Sequence, residues 1–215
     1  MTAALWAIPH TRQKPMDGTK IRSRLREQRR SLSACQQNRY TDQITAILTR
    51  QDFFLRAKRV AIYLANDGEV DLSPIIDICL KSKKRCYLPV LHPLGINRLH
   101  FAAFDYQSHM TTNRFGIAEP SLRHSKLAPA WSLDLILMPM VGFDRTGNRL
   151  GMGGGYYDRT LSFMSLAQNP MPKLVGLSYS FQELHKIVQR DWDIPLNHIV
   201  TEREIICAKP KSSAP

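Results

Sequence analysis

Short, almost wholly apolar runs recur along this chain and constrain its fold more than any other feature. RVAIYLA (59–65), RCYLPVL (85–91) and DLILMPM (134–140) are three of them. Strands this apolar are buried on both faces, as in a parallel sheet covered by helices. Helical patterns lie between them. Residues 19–31 read as a basic helix with Ile21, Leu25 and Leu32 on one stripe. Ser33 and Gln36 form a capping-box pattern that opens a second helix to about residue 50, with Tyr40, Ile44, Ile47 and Leu48 at helical spacing. Ser73 followed by Pro74 reads as a cap and a first-turn proline, opening a helix to about residue 82. Residues 99–104 read as a strand paired to 85–91 through the turn at Pro93, Leu94 and Gly95, and 105–131 as irregular. A helix over about 156–166, a strand over 173–179 and a last strand over 199–207 complete the pattern. Strands alternating with helices predict an α/β sandwich with a mostly parallel sheet, the N-terminal helical pair packed on it. No linker rich in Pro, Gly or Ser divides the chain. One α/β domain over 18–207 is expected, with disordered ends at 1–17 and 208–215.

Composition narrows the function classes. The 215 residues are 43% hydrophobic and 22% charged, which excludes disordered and fibrous chains. The departure is a net charge of +12, which points to anionic partners. Half of it lies in residues 1–34, in Arg12, Lys14, Lys20, Arg22, Arg24, Arg26, Arg29 and Arg30 against Asp17 and Glu27. A nucleic-acid module is one reading of that segment. Against it, residues 18–30 hold no aromatic residue to stack on bases and no recognised binding motif. Arg22, Arg26, Arg29 and Arg30 share a broad helix face and Arg24 points elsewhere. That face is either solvated surface or a cationic wall beside a polyanionic substrate. The longest apolar stretch is interrupted by Pro139 and too short to span a bilayer, and residues 1–9 lack a basic region and an adequate apolar run, so a secretory signal is not expected. Cys35, Cys79, Cys86 and Cys207 lack zinc or disulfide spacing, so a reducing cytosol is expected.

Chemistry concentrates in residues 141–158, VGFDRTGNRLGMGGGYYD. Six of the eleven glycines, at 142, 147, 151, 153, 154 and 155, fall there, after a buried strand and before a helix. Glycine admits positive φ and lets backbone N–H groups approach a ligand, so such a loop is an anion cradle, most often for phosphate. The run has neither a P-loop GK[ST] nor GxGxxG spacing. Arg149 stands just before the glycines, where a guanidinium clamps phosphate oxygens. Asp158 lies just inside the helix, either as a first-turn acid facing the dipole or as a Mg²⁺ ligand beside phosphate.

The run NRLG-x-G-x-GYYDR (148–159) resembles the signature of the 5-formyltetrahydrofolate cyclo-ligases, also called methenyltetrahydrofolate synthetases. AIYLANDGEVD (61–71), YLP (87–89), LDLILMP (133–139) and DIPLNHIVTE (193–202) agree in the family's order, from about residue 20 to 205. The resemblance implies a three-layer α/β/α fold of the ribose-5-phosphate isomerase and CoA transferase type. It implies an enzyme that closes 5-formyltetrahydrofolate to 5,10-methenyltetrahydrofolate with ATP and Mg²⁺, releasing ADP and phosphate. Arg149, Leu150, Gly151, Met152, Gly153, Gly154, Gly155, Tyr156 and Tyr157 match its ATP segment. Within it, Met152 to Tyr156 match the part that also touches folate. Leu64 and Glu69 match other folate positions, Asp158 and Asp193 its Mg²⁺ positions. Arg149, Tyr156 and Asp158 carry the catalytic expectation. The family's basic pair at the first helix falls on Arg22 and on Gly18, which leaves Lys20 as the nearby substitute. Some members carry Lys where Gly154 stands, Asp at Asn197 and Pro at Val188. A monomer acting on reduced folate and ATP, with no nucleic-acid or membrane partner, is the expected whole. A sugar-phosphate isomerase or CoA transferase of the same fold is the alternative, and neither accounts for the glycine run.

Overall fold

The computed structural model describes residues 18–165 and 172–208. The segments 1–17 and 209–215, expected to be disordered, and Leu166, expected to end a helix, lie outside the described residues. The chain opens with α1 (Gly18–Arg30), α2 (Ala34–Thr49), α3 (Asp52–Arg56), β1 (Arg59–Ala61), α4 (Ser73–Lys81) and the hairpin β2 (Arg85–Leu91) and β3 (Leu99–Phe104). Short strands β4 (Met110–Thr112), β5 (Ala118–Pro120) and β6 (Leu127–Ala128) follow. Then come β7 (Leu135–Pro139), β8 (Gly142–Phe143), β9 (Arg149–Leu150), α5 (Tyr156–Leu161), β10 (Lys173–Leu177), β11 (His198–Val200) and β12 (Ile205–Cys207).

Eight strands form one sheet in the order β12-β11-β10-β7-β1-β2-β3-β6. The five central strands run parallel, and β12, β3 and β6 join antiparallel. The apolar runs explain this. Val60, Leu135, Leu137, Val175 and Leu177 point into one core with α2 and α4. Their neighbours Ala61, Ile136, Met138 and Leu174 point into a second core with Leu161 of α5. Both faces are covered, so neither face of these strands can be polar. Each fully buried aliphatic side chain contributes roughly 1.5–3 kcal/mol by leaving water.

Several expectations change. Ser33 caps α2 with Gln36 in a reciprocal capping box, as expected. At α4 the cap position is Leu72, not Ser73, and the Asp71 carboxylate accepts from the Ser73 N–H and hydroxyl. Helix α3 was not anticipated. The 105–131 stretch is not irregular throughout, since it holds the β4–β5 hairpin, β6 and a short 3₁₀ turn. All three residues of β4 are exposed, so burial left no alternation to read. The last run is two antiparallel strands, because residues 201–204 form a tight turn between them. Ala208 is tied back by its N–H to Asn197 O at 3.0 Å. Helix α1 packs over loops at the strand ends rather than on a sheet face.

Candidate functional site

Strands β1 and β7 are parallel neighbours. From β1 the chain leaves through α4 to β2 on one side; from β7 it leads to β10 on the other. The connections diverge, so a crevice opens at the carboxyl ends of β1 and β7. Ligands of open α/β sheets bind at such switch points. The 66–69 loop after β1 and the 140–158 segment after β7 both emerge there.

The 140–158 segment is held at its base by Asp144, which is 2% exposed. Its carboxylate accepts from Thr146 Oγ1 at 2.6 Å, Asn148 Nδ2 at 2.9 Å and the Ile187 N–H at 2.8 Å. Burial alone would raise its pKa, and these hydrogen bonds outweigh it and hold the group below its ordinary value. This turn feeds β9, which presents Arg149. One guanidinium nitrogen donates to the Asp158 carboxylate and another to Ile194 O. The Arg149 side chain is only 8% exposed. The Ile194 N–H also reaches Asp158 Oδ1 at 3.2 Å, so the segment beginning at Asp193 is stitched to the same pair. Between Arg149 and Asp158 the glycines turn. Gly153 (φ +98°) and Gly155 (φ +65°) occupy backbone that side-chain-bearing residues rarely adopt. At Gly155 a Cβ would also lie 2.7 Å from Arg159 Nη1.

Neighbouring elements hold the loop. Arg22 Nε donates to Gly151 O at 2.7 Å, and Asn97 Nδ2 to Gly154 O at 3.1 Å. Arg114 donates to the Tyr156 hydroxyl, and Phe115 packs edge-on against the Tyr156 ring at 6.1 Å. Met152 is 56% exposed at the loop's rim. Lys20 is exposed on α1.

The second half of the crevice is a charge cluster on the 66–69 loop. Arg29 is 1% exposed. Its Nε donates to Asp67 O at 2.8 Å and its Nη2 to Asp67 Oδ2 at 2.9 Å; its Nη1 lies 3.6 Å from Glu69 Oε1. Arg26 and Arg30 also converge on Asp67, at 2.7 and 3.1 Å. The helix face read as solvated surface or substrate wall is therefore largely committed to one aspartate, and Arg22 alone of its four arginines reaches the glycine loop. Burial would raise the Asp67 pKa, and its three arginines hold it below the ordinary value instead. Asp67 sits at φ +53°, a conformation Asp tolerates better than most residues. Burial pushes the Glu69 carboxyl from 4.5 up to about 7, against the opposing pull of Arg29 and of the Asn66 N–H at 3.2 Å. Leu64 is half-buried against the core beside this loop.

A carboxyl raised in the folded state stabilises most while protonated in both states. We therefore expect stability to fall as pH rises from about 4.5 to about 7, where the carboxyl of the unfolded chain has ionised and the buried Glu69 still holds its proton. Glu69→Gln should remove that slope. Urea unfolding of both proteins across this window checks it, and an unchanged slope in the variant would assign the dependence elsewhere.

Comparison with known proteins decides the family. The sequence matches the model of the 5-formyltetrahydrofolate cyclo-ligase family over residues 15–202. The chain belongs to the 5-formyltetrahydrofolate cyclo-ligase family. It is 38% identical over 181 residues to the cyclo-ligase of Escherichia coli (strain K12), covering 84% of this chain and 98% of that one. It is likewise 38% identical over 180 residues to the Haemophilus influenzae cyclo-ligase, covering 84% and 95%. The NMR structure of Aquifex aeolicus 5,10-methenyltetrahydrofolate synthetase matches with a TM-score of 0.76 at 30% identity, covering 92% of this chain and 96% of that one. The expected three-layer α/β architecture is thus the fold of this cyclo-ligase family member.

Within the cyclo-ligase frame, the structure brings together Arg149, Leu150, the glycine loop, Tyr156, Asp158 and Arg22. Tyr157 packs against the second core; burial raises its pKa, Glu69 adds to that and Arg149 opposes it. Asp193 is half-buried, with Oδ2 accepting from the Arg190 N–H at 2.9 Å. Among the described residues no three His, Cys, Asp or Glu side chains gather to cage a metal. Asp158 and Asp193 offer two carboxylates linked through Ile194. This donor set suits Mg²⁺, which takes one or two carboxylates and completes its shell with phosphates and water. Sequence reasoning missed Arg29, Asp67 and Asn97 as the residues that lock these loops. The Asn66-Asp67-Gly68 turn was the available signal, since an acid in a strand-end loop facing an arginine-rich helix is a pairing candidate.

Proposed function

We propose that this chain catalyses the ATP-dependent closure of 5-formyltetrahydrofolate to 5,10-methenyltetrahydrofolate, releasing ADP and phosphate. The observation that carries the reading is the glycine loop strung between Arg149 and Asp158, at the mouth of the β1–β7 crevice, in a member of the cyclo-ligase family.

A formamide oxygen is a poor leaving group. Transfer of the γ-phosphoryl of ATP to that oxygen makes an imino-phosphate and ADP. The N10 nitrogen then attacks the activated carbon and loses its proton. Phosphate departs with the C–O electron pair and the former formyl oxygen. Phosphoryl transfer depends mainly on positioning and charge stabilisation. The N–H groups of residues 151–155 face the phosphates, and Arg149, released from Ile194 O, neutralises charge on the migrating group. Tyr156 fixes the loop against Arg114 and borders the reacting carbon. Arg22, and Lys20 in the place of the basic residue missing at Gly18, add positive charge on the ATP side. Asp158 and Asp193 would hold Mg²⁺, which supplies charge neutralisation on the phosphate oxygens when bound. Glu69 accepts hydrogen bonds from the pterin amino group and ring N–H, and Leu64 packs on the ring. The protein acts as a cytosolic monomer on two small-molecule substrates; its four unpaired thiols fit a reducing compartment.

Ultraviolet detection of the methenyl product tests this. Product should form only with ATP and Mg²⁺ together, one ADP per ring closed. Equal activity without ATP would overturn the reading.

A further inference from the structure

The glycine run is short of positive charge. Between Arg149 and Arg159 there is no Lys or Arg, and Arg149 is paired with Asp158. No cation fits at Gly154 while Tyr156 keeps its place. A Cβ there would lie 2.6 Å from the Tyr156 ring, and Arg114 and Phe115 hold that ring. The charge arrives from beyond the turn. Arg159 folds back over the loop, and its Nη1 donates to Gly154 O at 2.6 Å. The same nitrogen lies 2.7 Å from where a Cβ would stand at Gly155. Glycine at 155 therefore makes room for the guanidinium.

A cavity of about 430 Å³ opens beside this arginine. Gly155, Asp158, Arg159 and Ser162 line it at helical spacing, with Arg98 just before β3 and Trp192 just before Asp193. Small-molecule sites begin at roughly 300 Å³. Arg98 and Arg159 are exposed, and neither meets a carboxylate among the described residues. Trp192 is 63% exposed. Arg190 sits over one face of its ring, 5.6 Å from the centroid, which leaves the other face for a ligand. Guanidinium groups pair with phosphate oxygens, and an aromatic face stacks on a nucleobase. Asp158 belongs both to this cavity and to the Arg149 pair, so the cavity shares a wall with the glycine-loop site.

We propose that this cavity seats the nucleoside end of ATP, with the base on Trp192 and the polyphosphate passing Arg159 toward the glycine loop. The inference rests on the ATP reading above and adds residues to it. Arg159 uses one N–H on Gly154 O and keeps the others for phosphate oxygens.

Arg159→Met and Trp192→Ala test the two ends. The dissociation constant for ATP with Mg²⁺, measured by calorimetry, should rise about tenfold in each. Trp192→Phe keeps a ring and should bind ATP more tightly than Trp192→Ala. Binding of 5-formyltetrahydrofolate and the ligand-free urea midpoint should match wild type, since both residues are exposed. Equal losses for folate and ATP in Arg159→Met, or a lower urea midpoint, would show that the arginine acts only by holding Gly154, and would overturn the proposal. Equal losses in Trp192→Phe and Trp192→Ala would overturn the stacking and the seat with it. A loss of ATP affinity in only one of Arg159→Met and Trp192→Ala, or in neither, would also overturn the proposal, and the ATP reading would stand. If wild type itself closes the ring without ATP, the broader reading falls and this seat falls with it.

Discussion

Replacing Arg29 with Met should destabilise the protein by about 3–5 kcal/mol, the range for removing one partner of a buried charge pair. Arg29 is 1% exposed, makes charged contacts with Asp67 at 2.9 Å and Glu69 at 3.6 Å, and donates to Met140 O at 3.4 Å. Surface ion pairs contribute little because water already solvates both charges. Here the guanidinium lies under α1 and joins the loop after β1 to the segment after β7. Methionine keeps much of the volume, so the loss reports the charge and its hydrogen bonds rather than a cavity. Asp67 would keep Arg26 and Arg30, both more exposed. Glu69 would lose its buried counter-charge, and its pKa would rise further above about 7. Arg24→Ala is the control, because Arg24 is exposed on the same helix. Surface changes of this kind stay within roughly 0.5 kcal/mol. Urea unfolding of the three proteins checks both expectations. A loss below about 1 kcal/mol for Arg29→Met would mean that water reaches the cluster and that it does not hold the loops.

Arg149→Ala should lower kcat/KM by about 10²–10³, the loss typical when one preorganised donor to a developing negative charge is removed. Arg149 and Asp158 are paired in this structure, so each fixes the other before substrate arrives. Asp158→Ala should therefore cost about as much. The double variant should be little worse than either single one, because residues acting as a unit are not additive. Steady-state kinetics on the three variants tests this. If the two single losses add fully in the double variant, the pair acts as two independent groups and the shared role is wrong.

The legible parts of this chain share a physical reason. The central strands are buried on both faces, so their side chains had to be apolar and the runs stood out. The Ser33–Gln36 box stood out because a helix end must satisfy its own N–H groups. The glycine loop was legible because positive φ at Gly153 and Gly155 leaves few other choices. The illegible parts were those set by tertiary pairing. Strand β4 is exposed throughout, and its pairing with β5 follows from a turn through Asn113 and Gly116 rather than from any apolar pattern. Arg29 looked like its neighbours Arg26 and Arg30 in sequence. Only the position of Asp67, thirty-eight residues away, buries one of the three and leaves another exposed.

In the mechanism proposed above, the γ-phosphoryl of ATP is passed to the formyl oxygen inside this crevice. The most direct test is the fate of that oxygen. 5-Formyltetrahydrofolate labelled with ¹⁸O in the formyl group is converted with ATP and Mg²⁺, and the released phosphate is analysed by mass spectrometry. We expect one ¹⁸O in each phosphate formed, in step with the methenyl product. Label appearing in water, with unlabelled phosphate, would contradict it.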